Sequence, residues 1–275
     1  MKTGLFIASV FLYLLFSSLP ALATVYYVDP SSGNNGNTGL SEGQAWRTVT
    51  YAVANSALGD TLRMMAGTYD AANGESFPIS VATRRYFQKW GSGTPQIDAA
   101  YGTNSNLFNV SGSGTTFEGL SIRHNGSNDY STYSLVSITT SNCLIDSCSF
   151  EGAYYTQQVY FSSTSALNNT VRNSSFYGFN SAYYGINFYL GYSSNCNNVV
   201  DGCRFTGAFN QAIYAYWYNY GLIIRNNNFT SSGACVYLYY YNNNAVIKNN
   251  TFASPSTAIN ITYYNYNYDI SENTL

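Results

Sequence analysis

Ile224-Arg-Asn-Asn-Asn-Phe229 and, 23 residues on, Ile247-Lys-Asn-Asn-Thr-Phe252 are two copies of one six-residue signature. Five more copies are Phe117-Glu-Gly-Leu-Ser-Ile122, Ile145-Asp-Ser-Cys-Ser-Phe150, Val171-Arg-Asn-Ser-Ser-Phe176, Val200-Asp-Gly-Cys-Arg-Phe205 and Ile270-Ser-Glu-Asn-Thr-Leu275. Their closing residues lie 28, 26, 29, 24, 23 and 23 positions apart. A period in the twenties specifies a stack of coils, each too small to bury its apolar face without its neighbours. The first and last signature positions are apolar in every copy. That predicts both ends inside and the middle outside.

Two places before the closing residue stand Leu120, Cys148, Ser174, Cys203, Asn227, Asn250 and Asn273. Stacked asparagine amides bond up and down a ladder, and asparagine tolerates the left-handed φ of a bend. An asparagine ladder is therefore expected in the last three coils. Four places before the closing residue stand Glu118, Asp146, Arg172, Asp201, Arg225 and Lys248. The alternating sign from Asp146 to Arg225 predicts surface ion pairs of about 0.2–1 kcal/mol each, not a catalytic cluster. A second strand precedes each signature, led by Leu135/Val136, Gly185/Ile186, Ala212/Ile213, Cys235/Val236 and Ala258/Ile259.

Residues 1–23 read as a secretory signal peptide, with Lys2, an apolar run from Leu5 to Phe16, and the cleavage site Ala21-Leu22-Ala23. The run falls short of the roughly 20 residues of a membrane-spanning helix. The mature chain, from Thr24, is expected to be secreted or at the cell surface, with no integral span. Charged residues are 9% of the 275 and the net charge is −2, so no electrostatic footprint for nucleic acid exists. Five cysteines are an odd number. Cys148 and Cys203 are two coils apart, nearly 10 Å at about 4.8 Å per strand and beyond disulfide reach, so free buried thiols are expected.

Towards the N-terminus, Val25–Asp29 alternates as a strand, and Trp46, Val49, Val53 and Ala57 share one face of a short helix fit to cover the end of the stack. The segment 70–106 has room for one or two coils, with strands at Phe77–Val81 and Gln96–Asp98. Between them Arg84, Arg85 and Lys89 interleave with Tyr86, Phe87 and Trp90, which reads as a solvated loop.

Tyr27-Val-Asp-Pro-Ser-Ser-Gly-Asn-Asn-Gly-Asn-Thr-Gly39, Trp46-Arg-Thr-Val-Thr-Tyr-Ala-Val-Ala54, Gly59-Asp-Thr-Leu62 and Ala66-Gly-Thr-Tyr69 resemble the opening module of secreted proteins of the pectate-lyase-like superfamily. The coil signatures resemble that superfamily's generic repeat. The resemblance implies an all-β, right-handed parallel β-helix (a β-solenoid) with a short N-terminal capping helix. Residues 24–69 would form the cap and first strands, and 70–275 the repeats. It does not imply one activity, because the superfamily includes lyases, hydrolases, epimerases and adhesins.

Lyases of this fold neutralise a uronate with cations and abstract a proton with a basic side chain. Calcium would need several converging carboxylates. Glu118, Asp129, Asp146, Glu151, Asp201, Asp269 and Glu272 are sparse, and no Asp-x-Asp occurs among them. The paired aspartates with Gly-His-Gly of polygalacturonases and the arginine-rich signature of pectate lyases are missing. The lone His124 reads as a solvated turn residue. No cofactor is expected, calcium lacks a ligand cluster, and the catalytic residues are unknown.

Aromatic surface is abundant. Tyr214-Ala-Tyr-Trp-Tyr-Asn-Tyr220, Tyr237-Leu-Tyr-Tyr-Tyr241 and Tyr263-Tyr-Asn-Tyr-Asn-Tyr268 lie in successive coils. Aligned on the signatures, Tyr214 meets Tyr237, while Tyr216 and Trp217 meet Tyr239 and Tyr240. These six are the candidate carbohydrate-binding residues, offering a flat rail of ring faces and hydroxyls to a sugar chain. The same tyrosines also suit a plain strand surface that buttresses the coils. Three functions follow: polysaccharide binding without cleavage, a lyase or glycoside hydrolase whose site is incomplete here, or a structural adhesin or filament component. Because Leu275 falls on a closing position, the chain is expected to continue into further coils.

Overall fold

The computed structural model describes residues 22–99, 105–124, 134–152, 155–191, 195–253 and 255–275. Most of the expected signal peptide and Asp129 lie outside these. The described chain winds along three parallel-stranded faces, the second and third joined into one 14-stranded sheet. The first face has ten strands, from Val25–Val28 and Thr61–Met64 to Val246–Lys248 and Asp269–Ser271. The second runs from Gly67–Tyr69 through Ser121–His124 and Ser149–Gly152 to Asn228–Ser231 and Thr251–Phe252. The third runs from Ile79–Val81 through Ser134–Ile138 and Gln157–Phe161 to Ala234–Tyr240 and Thr257–Ile261. Two long bent strands, Ser175–Tyr189 and Arg204–Trp217, belong to the second and third faces together.

Register follows the signatures. Ile145, Val171, Val200, Ile224, Ile247 and Ile270 pair in succession on the first face. Phe150, Phe176, Phe205, Phe229 and Phe252 do so on the second, their rings stacked at 4.9, 4.8, 4.8 and 4.9 Å and fully buried. Each signature therefore turns a corner instead of forming one strand. Its third residue takes a left-handed φ: 54° at Ser147, 51° at Asn173, 57° at Asn226 and 54° at Asn249. That bend breaks the alternation and turns the fourth residue inward, which corrects the expectation that the whole middle faces solvent. Cys148, Ser174, Cys203, Asn227 and Asn250 are all buried there.

The asparagine ladder forms as expected, one residue beyond the bend. Asn227 Nδ2 donates to Asn250 Oδ1 and Asn250 Nδ2 to Asn273 Oδ1, both at 3.0 Å. The same oxygens accept the Asn227 and Asn250 backbone N–H at 2.9 Å. Above the ladder, Asn227 Oδ1 receives the Cys203 N–H at 2.8 Å. Outside this corner the charged row closes into discrete pairs. Arg172 reaches Asp146 at 2.6 Å, Arg225 reaches Asp201 at 2.8 Å and Lys248 reaches Glu272 at 2.9 Å.

The helix spans Val49–Asn55 and packs beside Ile79–Val81, at the N-terminal end of the third face. Val49 and Ala52 are its buried residues, with Val53 half-buried and Ala57 exposed, so the stripe is narrower than the sequence spacing suggested. Seven residues hold little helix by propensity, and charges grip both ends. The Glu75 carboxylate accepts from the Val49 N–H and, at 3.0 Å, the Thr50 N–H. Arg85 donates to the Ser56 carbonyl at 2.6 Å. Anion at the N-terminus and cation at the C-terminus both suit the helix dipole.

Two loop expectations are corrected. Tyr86–Lys89 is a first-face strand whose Phe87 is buried and stacks on Phe117 at 4.8 Å, while Arg85 is buried by its helix contacts. His124 ends the second-face strand Ser121–His124 and is buried rather than solvated. In the last coil Ile270 and Leu275 are 41% and 88% exposed, whereas the equivalent residues of earlier coils are buried.

Candidate functional site

The aromatic residues gather on the outside of the third face and at its corner with the first. Along each strand here the inward positions are fixed by the core: Ile186, Ile213 and Val236 pair in register, then Phe188, Ala215 and Leu238. Alternation sends Tyr214 and Tyr237 outward as a registered pair. Register then slips, because Phe188 pairs with Ala215 but Tyr189 pairs with Trp217. The extra residue, Tyr216, is a β-bulge that inserts one more aromatic ring into the coil.

Beyond the bulge the rings stack on one another in columns. Tyr189, Tyr216 and Tyr239 lie 5.1 and 5.2 Å apart with ring planes 12° and 9° from parallel. Trp217 stacks on Tyr216 at 5.0 Å and meets Tyr240 edge-on at 6.5 Å, and Tyr240 stacks on Tyr263 at 4.7 Å. A further column, Tyr218, Tyr241 and Tyr264, has spacings of 5.0 and 5.3 Å. All six sequence candidates share this face and are half-buried by one another. In the two columns the expected rail of ring faces becomes a rail of ring edges and hydroxyls, since each ring there is faced by the next coil's ring, whereas Tyr214 and Tyr237 are tilted by 53° and Trp217 and Tyr240 by 86°.

Tyr218, Tyr241 and Tyr264 were not among the sequence candidates, and neither was Tyr189. The three recur every 23 residues, the interval of the late signatures, and each precedes an asparagine: Asn219, Asn242 and Asn265. All three tyrosines have φ near 50°, at 53°, 51° and 55°. A bulky residue at such φ needs local support, and a second asparagine ladder supplies it. Asn242 Oδ1 accepts from Asn219 Nδ2 at 2.7 Å and Asn219 N–H at 3.1 Å, and Asn242 Nδ2 donates to the Ala215 carbonyl at 3.1 Å. Asn265 Oδ1 receives the Asn242 N–H and Asn265 Nδ2 reaches the Tyr239 carbonyl at 3.0 Å.

The strip carries no formal charge. Between Arg204 and Asp269 the charged residues are Arg225 and Lys248, both on the first face. Burial, and then neighbouring phenols, push the Tyr214, Tyr239 and Tyr240 hydroxyls above the ordinary tyrosine range, so they remain protonated donors at neutral pH.

Among the described residues, no three of His, Cys, Asp and Glu converge to hold a metal. The Asp98 carboxylate is held by Arg123 at 2.6 Å, as Asp146 and Asp201 are held by Arg172 and Arg225. All five thiols are free and buried, and burial pushes Cys148 and Cys203 up to about 12, far from a reactive thiolate. A concavity of about 700 Å³ between the second and third faces is lined by Tyr177, Phe179, Thr230 and Ser231, with no carboxylate or imidazole on its wall.

A family model described as the right-handed β-helix region matches residues 106–275. The chain belongs to this family. It is a right-handed β-helix whose coils pair through parallel strands. Among solved structures it resembles a rhamnogalacturonan lyase, with a TM-score of 0.58 and 14% identity over 84% of this chain and 74% of that one. It also resembles the pectin methylesterase from Aspergillus niger, with a TM-score of 0.55 and 13% identity over 91% and 86%. At such identities the likeness is one of fold. No curated protein matches the sequence. No described helix is long and apolar enough to cross a membrane.

Proposed function

We propose that this is an exported β-helix protein that binds polysaccharide along its aromatic third face without cleaving it. The carrying observation is the continuous, uncharged strip of stacked rings from Tyr189 to Tyr264, edged with phenol hydroxyls. Aromatic side chains with a polar tip are suited to surfaces that are partly apolar and partly hydrogen-bonding, as sugars are. Two fold neighbours bear names of enzymes acting on rhamnogalacturonan and pectin, which supports a glycan over other partners. The N-terminal run from Leu5 to Phe16 and the small-residue site at Ala21-Leu22-Ala23 support export. Cleavage by paired carboxylates, an imidazole or a cation would need such a group beside the bound sugar, and the sequence of the strip holds phenols and amides instead.

The test is a glycan array run together with an assay for unsaturated and reducing products. Retention without product is the expected result, and Trp217→Ala with Tyr240→Ala should weaken retention while the far-ultraviolet circular dichroism stays unchanged. Product formation would instead make the protein a lyase or hydrolase. Absence of any binding would favour a structural role in adhesion or filaments.

A further inference from the structure

We propose that the bound glycan is a neutral, extended β-1,4-linked chain that lies along the solenoid axis with one sugar to each coil; this rests on the polysaccharide reading above. The first argument is period. Outward rings recur once per coil, at 5.1 and 5.2 Å in the column of Tyr189, Tyr216 and Tyr239, and at 5.0 and 5.3 Å in the column of Tyr218, Tyr241 and Tyr264. This period is imposed by strand spacing, about 4.8 Å, so it does not drift along the stack. An extended chain of equatorially linked pyranoses advances by one ring in nearly the same distance. Successive sugars of such a chain are turned by about half a revolution, so each coil meets one sugar and a matching hydroxyl pair returns at every second coil. An α-1,4-linked chain advances less per sugar and coils, so it slips out of register within a few residues.

The second argument is the kind of contact on offer. Ring planes within 12° of parallel cover one another, leaving edges and hydroxyls outward in the middle of each column. The end rings Tyr189 and Tyr264 are 42% and 56% exposed. A single sugar would need a free ring face to stack upon. A chain crossing several coils can instead use the hydroxyl edge repeatedly, as multivalent contact along one rigid rail.

The third argument is charge. The third-face parts of the described strands from Ser134–Ile138 to Thr257–Ile261 carry no acidic or basic side chain; Arg204, at the start of one long bent strand, stands on its second-face part, paired with Ser175 and Asn228. A uronate carboxylate laid on them would lose water and gain no counter-charge, which is costly. A neutral sugar hydroxyl suffers no such penalty and meets phenol donors.

The experiment is depletion binding of the whole protein to insoluble cellulose and linear β-mannan, with amylose and polygalacturonate alongside. The variant Tyr216→Phe with Tyr239→Phe keeps the ring stack and removes only hydroxyls. Retention on the two β-1,4 glycans and not on the other two is expected. The double variant should lose roughly thirtyfold in affinity, the worth of two hydrogen bonds at about 1 kcal/mol each. Equal or better retention on amylose or polygalacturonate overturns the inference yet leaves polysaccharide binding standing. Failure on every glycan overturns both. Undiminished cellulose binding by the double variant removes the hydroxyl rail from the account.

Discussion

Replacing Asn242 with alanine is the sharpest probe of how the aromatic corner is held. The side chain is wholly buried, and its amide makes three contacts. Its oxygen accepts the Asn219 N–H at 3.1 Å and Asn219 Nδ2 at 2.7 Å, and its nitrogen serves the Ala215 carbonyl at 3.1 Å. Alanine strands the Asn219 N–H and takes a donor from the Ala215 carbonyl, while Asn219 Nδ2 keeps its bond to the Trp217 carbonyl at 3.1 Å. A buried polar group left unsatisfied costs about 1–3 kcal/mol, so the loss should be roughly 3–5 kcal/mol once partial relaxation is allowed. The exposed neighbour-coil residue Asn228 makes a matched control, since Asn228→Ala should stay within about 0.5 kcal/mol. Urea unfolding followed by circular dichroism measures both. Near-ultraviolet dichroism of the tyrosine stack should also fall in the Asn242 variant, because the 51° φ of Tyr241 loses its support. A midpoint for Asn242→Ala indistinguishable from that of Asn228→Ala would refute the ladder argument.

Two other outcomes follow from the core and the phenols. Truncating the central member of the inner stack, Phe205→Ala, should cost about 3–5 kcal/mol in the same unfolding measurement, because Phe176 and Phe229 on either side lose a ring contact at 4.8 Å. Stability should also fall above about pH 10, where unfolded tyrosines ionise. Burial raises the native Tyr69, Tyr184 and Tyr214 above that value, so the unfolded state sheds its protons first and gains as pH rises. A flat unfolding free energy between pH 9 and pH 11 (about a unit either side of the free phenol) would contradict this.

The coil register was legible because two apolar positions recur in every signature, and they set which residues meet across the parallel sheets. The ladder of Asn227, Asn250 and Asn273 was legible for the same reason. Its left-handed bend was misplaced by one residue, since periodicity locates a corner but φ decides which side of it faces inward. The strand Tyr86–Lys89 was hidden by charge: Arg84, Arg85 and Lys89 masked a core Phe87, and Arg85 is buried only because a helix end distant in sequence accepts its hydrogen bonds. In the candidate site, the pairings of Tyr214 with Tyr237 and Trp217 with Tyr240 follow from alignment alone. The ring orientations do not, because they depend on the bulge at Tyr216 and on the Asn219–Asn242–Asn265 ladder beneath the corner.

One comparison separates a binding strip from a mere strand surface. The outward position occupied by Tyr214 and Tyr237 continues in register through every coil of the third face from Phe108–Val110 onward. Its occupants in order are Asn109, Ser137, Tyr160, Asn187, Tyr214, Tyr237 and Asn260. Asparagine and serine satisfy the same backbone pairing as tyrosine, so the sheet has no need of aromatic rings at this place. The interior already holds the coils together, through the phenylalanine stack and two asparagine ladders. Rings concentrated in adjacent coils, and extended to the bend residues Tyr218, Tyr241 and Tyr264 at the cost of a left-handed φ, are more than the fold requires, and the proposed glycan contact is what would use them.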